Sequence, residues 1–346
     1  MSDQSPGKNP TTLPITAQEP LLEVRNLRTE FDTHGGVLHA VDDVSFSVNP
    51  GEVLGVVGES GSGKSVTALS IMGLIARPGR VAGDQIVLAG HGDLTTKTAA
   101  EMRKTRGDVI SMIFQQPMTS LNPVFRIGWQ IAEALQLHRN MTRTEATAQA
   151  VELLARVGIA SPRQRVREFP HQLSGGMRQR VMIAMAMACA PQLLLADEPT
   201  TALDVSIQAQ IINLLEELQK RLGLTFLFIS HDLSVVRHIA DRVAVMYLGQ
   251  IVELADNARF YAHPMHPYSM ALLSALPVPD PHVARNRIIL KGDLPSPANL
   301  PQGCRFQSRC PYVTAKCGQA SEPPLEEVAP GHQVRCWNLA DIHAKS

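Results

Sequence analysis

The segment Gly58-Glu59-Ser60-Gly61-Ser62-Gly63-Lys64-Ser65 constrains this chain more than any other. It fits the pattern Gly, four residues, Gly-Lys, then Ser or Thr, and it follows the short apolar run Val53–Val57 and precedes a helical pattern over Ser65–Ile75. A buried strand, a glycine-rich loop and a helix in that order form a phosphate-binding loop. Glycines such as Gly58, Gly61 and Gly63 let the backbone curl so that its N–H groups, that of Ser60 among them, converge on phosphate oxygens at the positive end of the helix. Lys64 is expected to hold the β- and γ-phosphates, and Ser65 to ligate Mg²⁺. An incidental Gly/Ser loop would not need to sit between a strand and a helix.

A second acidic motif supports this reading. Leu193-Leu194-Leu195-Ala196 is an apolar run that ends in Asp197 and Glu198. On a strand end, Asp197 can reach Mg²⁺, usually through water, and Glu198 can polarise an attacking water as general base. Alone, the pair would read as a solvated turn; beside a phosphate-binding loop it reads as chemistry. Further strand patterns fall at Val109–Phe114, Thr225–Ser230 and Val243–Tyr247, with helical stretches between several of them. That alternation predicts an α/β fold around a largely parallel sheet. Residues 120–187 read as a mainly helical insertion, including a helix over Thr142–Val157 and another starting near Ser174.

Composition bounds the alternatives. The chain has 346 residues, 44% of them apolar, enough for one large core with an appended unit. Its 32 basic residues balance 32 acidic ones, which argues against an electrostatic footprint for nucleic acid. The longest strictly apolar stretch, Val181–Ala190, is far short of the ~20 residues that span a bilayer. The polar N-terminus lacks a secretory pattern, so a cytosolic location is expected. The sequence divides into a mobile tail (1–20), a nucleotide-binding domain (21–262) and a proline-rich extension (263–346).

Leu173-Ser174-Gly175-Gly176-Met177, followed by Arg178-Gln179-Arg180, resembles the signature motif of the ABC ATPases and begins 23 residues before Asp197 when counted from Ser174. Ser174 also suits a helix N-cap, because the two glycines after it leave free N–H groups. The resemblance implies a RecA-like core with an α-helical subdomain, ATP and Mg²⁺ as ligands, and a signature Ser174-Gly175-Gly176 offered to the nucleotide of an opposing subunit. It further implies that Gln115 is the Q-loop glutamine contacting Mg²⁺ and water, that Asp204 in Thr201-Ala202-Leu203-Asp204 belongs to the interface-crossing D-loop, and that His231 contacts the γ-phosphate. Phe31 sits where the family often stacks an aromatic on adenine, although an aromatic is as readily buried in a core.

The oligopeptide/dipeptide importer ATPases are the closer resemblance. It is carried by Pro117-Met118-Thr119-Ser120-Leu121-Asn122-Pro123, by the methionine of the signature and by His266-Pro267-Tyr268. Gln116, where that family usually has Asp, and Met177, where glutamine is commoner, are departures that remove no phosphate contact. The resemblance implies a second, related but non-identical ATP-binding subunit, two transmembrane permease subunits and an extracytoplasmic solute-binding protein, with the chain peripheral on the cytoplasmic face of the inner membrane. Cargo is implied by the resemblance alone, and nickel or another small solute stays open. A soluble ABC ATPase acting on DNA or ribosomes is the first rival, disfavoured by the single cassette and balanced charge. A P-loop kinase or GTPase is the second, and it has no use for the signature.

Four of the five cysteines, Cys304, Cys310, Cys317 and Cys336, lie in the extension, separated by five, six and eighteen residues. In a reducing compartment such a group is read as a metal site before disulfides. In the resembling family some members hold a 4Fe–4S cluster there. Zinc is the runner-up, because the closely spaced Cys pairs usual in its structural sites are absent here, and four unligated thiols are the plain alternative.

Overall fold

Two long antiparallel strands, β1 (Leu22–Thr33) and β2 (Gly36–Val48), open the computed structural model, which describes residues 19–115, 120–201, 203–276, 287–292, 295–319 and 321–343. The tail up to residue 18, Gln116 with Pro117, Met118 and Thr119, and Ala202 lie outside the described residues. After β3 (Val53–Val57) come β4 (Gly79–Ala82), β5 (Gln85–Leu88) and β6 (Gly92–Asp93). Next are β7 (Ile110–Ile113), β8 (Leu193–Asp197), β9 (Thr225–Ile229), β10 (Arg242–Tyr247) and β11 (Gln250–Asp256), and finally β12 (Glu326–Ala329) and β13 (His332–Val334).

The larger sheet runs β12-β13-β11-β10-β3-β9-β8-β7, and its five strands from β10 to β7 are parallel. The smaller sheet is antiparallel, β2-β1-β5-β6 with β4 also on β1. Both faces of the parallel strands are covered, which is why they read as continuous apolar runs. Successive residues point to opposite faces. Leu54 and Val56 pack toward the smaller sheet with Val24, Val44 and Ile86, whereas Val53 and Val57 join Phe226, Phe228 and Leu194 against the helices.

The helix after the phosphate-binding loop spans Lys64–Ile71 and is buried on Ala68 and Ile71. It stops short of the expected Ile75 because the chain turns at Gly73, φ 61°, while Arg106 takes the carbonyls of Met72 and Gly73 at 2.7 and 2.8 Å. The helical region contains Ile127–Arg139, Arg143–Arg156 and Gly175–Ala186. A capping box between Thr142 and Glu145 starts the second, which buries Ala146, Ala150, Leu153 and Leu154.

Beyond His263 the chain packs back onto the large sheet. β13 pairs with β11. The buried Glu253 on β11 accepts from the backbone N–H groups of Met265 and His266 at 2.8 and 2.9 Å and lies 2.8 Å from His332 Nε2. Tyr247, Tyr268 and Phe306 form an aromatic cluster with ring centroids 4.8–5.5 Å apart.

Candidate nucleotide site

Because β7, β8, β9 and β3 are parallel neighbours, the loops leaving their carboxyl ends share one edge of the sheet. The phosphate-binding loop leaves β3, Glu198 follows β8, His231 follows β9 and Gln115 follows β7. Topology alone therefore gathers residues that are more than a hundred positions apart.

The loop requires its glycines. A Cβ on Gly58 would stand 2.2 Å from the carbonyl oxygen of Met246, and one on Gly63, φ 104°, would stand 2.7 Å from that of Ala40. Lys64 is buried and its Nζ donates to the carbonyls of Gly58 and Glu59 at 2.8 and 3.0 Å. Burial lowers its pKa, opposed by the charges of Glu198, Asp197 and Glu59. Ser65 Oγ donates to Asp197 Oδ1 at 2.9 Å. Burial also raises the Asp197 carboxyl above its ordinary range, against the Ser65 hydrogen bond.

Glu198 takes a left-handed backbone, φ 45°. Its Oε2 accepts from Gln115 Nε2 at 2.9 Å and Thr201 Oγ1 at 2.8 Å, and His231 Nδ1 lies 3.3 Å away. Burial works against ionisation here, but the Thr201 hydrogen bond, the His231 charge and the Gln115 hydrogen bond outweigh it and hold the carboxyl below its ordinary range. Glu198 is thus a carboxylate at neutral pH, the form a general base needs.

A cleft of about 260 Å³ runs along this edge, lined by Ser60, Gly61, Gly63, Lys64, Ser65, Gln115 and Glu198 among others. Sequence reasoning missed several of its walls. Leu38, His39 and Ala40 of β2, the Leu248-Gly249 turn and Pro297 also line it, and no local motif marks them. Thr201 was legible as part of a motif, but its bond to Glu198 was not. Phe31, on β1 directly across from Leu38, is not among the lining residues; its ring lies against Gly79 of β4.

Ser174, Gly175, Gly176 and Asp204 do not line this cleft either. Ser174 caps the helix Gly175–Ala186 as expected, accepting from Met177 N–H at 3.3 Å. Gly175 and Gly176 face Leu203 and Ile207, and Asp204 is the N-cap residue of the helix Val205–Leu222. Leu203 therefore lies beside Gly175, while Thr201, at the start of the same stretch, reaches Glu198 in the cleft.

The four C-terminal cysteines are free thiols. The N–H groups of Tyr312 and Asn338 point at the sulfurs of Cys310 and Cys336, both at 3.4 Å, and Asn338 Nδ2 lies 3.3 Å from Cys317 Sγ. Burial pushes Cys304 up to about 12 and Cys310 up to about 11, with neighbouring thiols adding to both. Among the described residues, however, no group of three or more His, Cys, Asp or Glu side chains is arranged to hold a metal ion.

A family profile described as ABC transporter matches residues 41–201, and one described as the C-terminal region of oligopeptide/dipeptide transporters matches residues 252–317. The dimeric structure of a bacterial ABC transporter cassette superposes with a TM-score of 0.61 at 27% identity, covering 68% of this chain and 98% of that one. A post-hydrolysis dimer of that cassette bound to ADP and Pi gives 0.62 at the same identity and coverage. Fold and site thus define an ABC-type ATPase cassette. The oligopeptide transport ATP-binding protein AppD of Bacillus subtilis is 50% identical over 92% of this chain and 96% of its own length. OppD, the corresponding oligopeptide protein of Escherichia coli, is 46% identical over 94% and 96%, and its dipeptide transport protein DppD is 48% identical over 91% and 96%. The chain belongs to the ATP-binding proteins of the oligopeptide/dipeptide ABC transporter family.

Proposed function

We propose that this chain is the ATP-hydrolysing subunit of an importer of di- and oligopeptides. In this reading it pairs with a second, related ATPase subunit beneath two permease subunits, on the cytoplasmic face of the inner membrane, with an extracytoplasmic solute-binding protein delivering the cargo. The observation that carries it is the meeting of Lys64, Ser65, Asp197, Glu198, Gln115 and His231 at one sheet edge, in a chain so similar to peptide-transport ATPases. Among the described residues no helix is long and apolar enough to cross a membrane, which supports a peripheral place.

The residues divide the work by position. Lys64 exchanges its two backbone carbonyls for phosphate oxygens. Ser65, Asp197 and Gln115 would hold Mg²⁺, and the adjoining hydroxyl and carboxylate suit an ion that takes few protein ligands and keeps its waters; when bound it neutralises charge on the phosphates. Glu198 orients and deprotonates the attacking water, and His231 faces the γ-phosphate. Ser174-Gly175-Gly176, turned away from this chain's own cleft, supports a composite site completed by the opposing subunit.

Affinity purification of the chain from membranes tests the assembly: two hydrophobic subunits should co-isolate, and peptide-loaded binding protein should stimulate ATP turnover. Isolation without permeases, or stimulation by nickel and not by peptides, would overturn the proposal.

A 4Fe–4S cluster on Cys304, Cys310, Cys317 and Cys336 is proposed as well. N–H donors directed at three of the sulfurs suit cluster thiolates. A structural zinc ion favours closely spaced Cys pairs, which the five-, six- and eighteen-residue spacings do not provide. Anaerobic purification should yield iron and sulfide near four each per chain; zinc near one, or no metal, excludes the cluster.

A further inference from the structure

The outer end of the phosphate-binding loop is held by the C-terminal segment. Arg309 donates from both terminal nitrogens to the two carboxylate oxygens of Glu59, at 2.9 and 3.2 Å, across 250 residues of chain. Tyr268, fully buried in the His266-Pro267-Tyr268 turn, accepts the backbone N–H of the same Glu59 on its hydroxyl at 2.9 Å. Before nucleotide enters, the peptide unit between Gly58 and Glu59 is held at both ends, its N–H by Tyr268 and its carbonyl by Lys64; after Lys64 turns to phosphate, the Tyr268 bond remains. The next carbonyl, that of Glu59, accepts from Lys64 Nζ and from Ser62 N–H and so sets the loop's first turn. Arg309 is itself well placed: only 10% of its side chain is exposed, and it lies over the Tyr247 ring, which packs on Tyr268. A second arginine from the same segment, Arg305, donates to the carbonyl of Leu248 at 2.6 Å and pairs with Asp42, beside the Leu248-Gly249 and Ala40 walls of the cleft.

We infer that the C-terminal segment is a working part of the nucleotide site, in which Arg309 and Tyr268 are positioning residues that hold Glu59 and preset the phosphate-binding loop for ATP. A forked pair fixes orientation as well as charge, which a lone cation does not. The effect falls on nucleotide binding, because neither residue reaches the reacting atoms. The inference rests on the reading of this loop as the ATP site.

The test sets MgATP binding to the full chain, by titration calorimetry, beside steady-state hydrolysis by the full chain assembled with the second ATPase subunit. Arg309→Ala should raise the Kd and KM for ATP by roughly 3- to 10-fold, the scale of one charge-assisted contact, with kcat within about twofold. Arg309→Lys should recover part of the loss, and the exchanged pair Glu59→Arg with Arg309→Glu should bind ATP better than either single variant. Tyr268→Phe should shift binding in the same direction. Lys64→Ala separates the two readings. If it abolishes binding while Arg309→Ala, Arg309→Lys and Tyr268→Phe bind as the unaltered chain does, the clamp is wrong and the ATP site stands. If Lys64→Ala also binds normally, the site reading itself fails. Should Arg309→Ala not fold, Glu59→Gln and Arg309→Lys report on the same contact, and unchanged KM in both sinks the inference.

Discussion

Glu198 is held in place by Gln115, Thr201 and His231, so replacing it changes its chemistry more than its surroundings. Glu198→Gln should bind ATP normally and lower hydrolysis by about 10²–10⁴-fold, the range for losing a general base; near-normal turnover would remove Glu198 from that role. His266 offers a pH test. Burial, opposed by the Glu253 charge, pushes its pKa from 6.5 down to about 4, and its Nδ1 accepts the Tyr268 N–H at 3.1 Å. The unfolded chain takes up this proton as pH falls below 6.5 while the folded chain resists until about 4. Stability from this group is thus complete above pH 6.5 and is lost on acidification toward 4, by up to about 3 kcal/mol. Denaturant midpoints across that window should fall, and His266→Asn should flatten the fall. Lys64, Ser65, Asp197 and Glu198 are legible in the sequence because their chemistry and their local motif coincide. His39, Pro297 and Arg309 reach the cleft or its loop only through tertiary packing, and no spacing announces them.

Elements place the two loops that both suit phosphate in different surroundings. The loop after β3 opens on its own chain's cleft, whereas the helix Gly175–Ala186 presents its capped N-terminus beside the D-loop. Lys64→Ala should therefore weaken ATP binding by the same chain, and Ser174→Ala should spare that binding yet impair hydrolysis in the assembled pair. Equal loss of binding in both variants, measured by titration, would refute a composite site. Parallel strands such as β8 and β9 announce themselves as unbroken apolar runs because both of their faces are covered. β12 and β13 do not. They are short, contain Glu326, Glu327, His332 and Gln333, and owe their place to backbone pairing and to the buried Glu253–His332 contact, neither of which leaves a hydrophobic period.

If the whole molecule holds half of each composite site, as proposed, it should assemble when hydrolysis is blocked. Glu198→Gln with MgATP and the second ATPase subunit should elute at the size of a pair, and removal of nucleotide should return it to single chains. A persistent single-chain size with ATP bound would contradict the arrangement. At this scale the α/β class and the helical insertion are readable from alternating patterns, while the return of the last eighty residues onto the central sheet is not. That return also gives the molecule a timetable. Arg309 leaves the ribosome 250 residues after Glu59, about 12–50 s later at roughly 5–20 residues per second. The phosphate-binding loop is therefore synthesised early and set late, and a truncated or stalled chain carries the complete motif without the brace that shapes it.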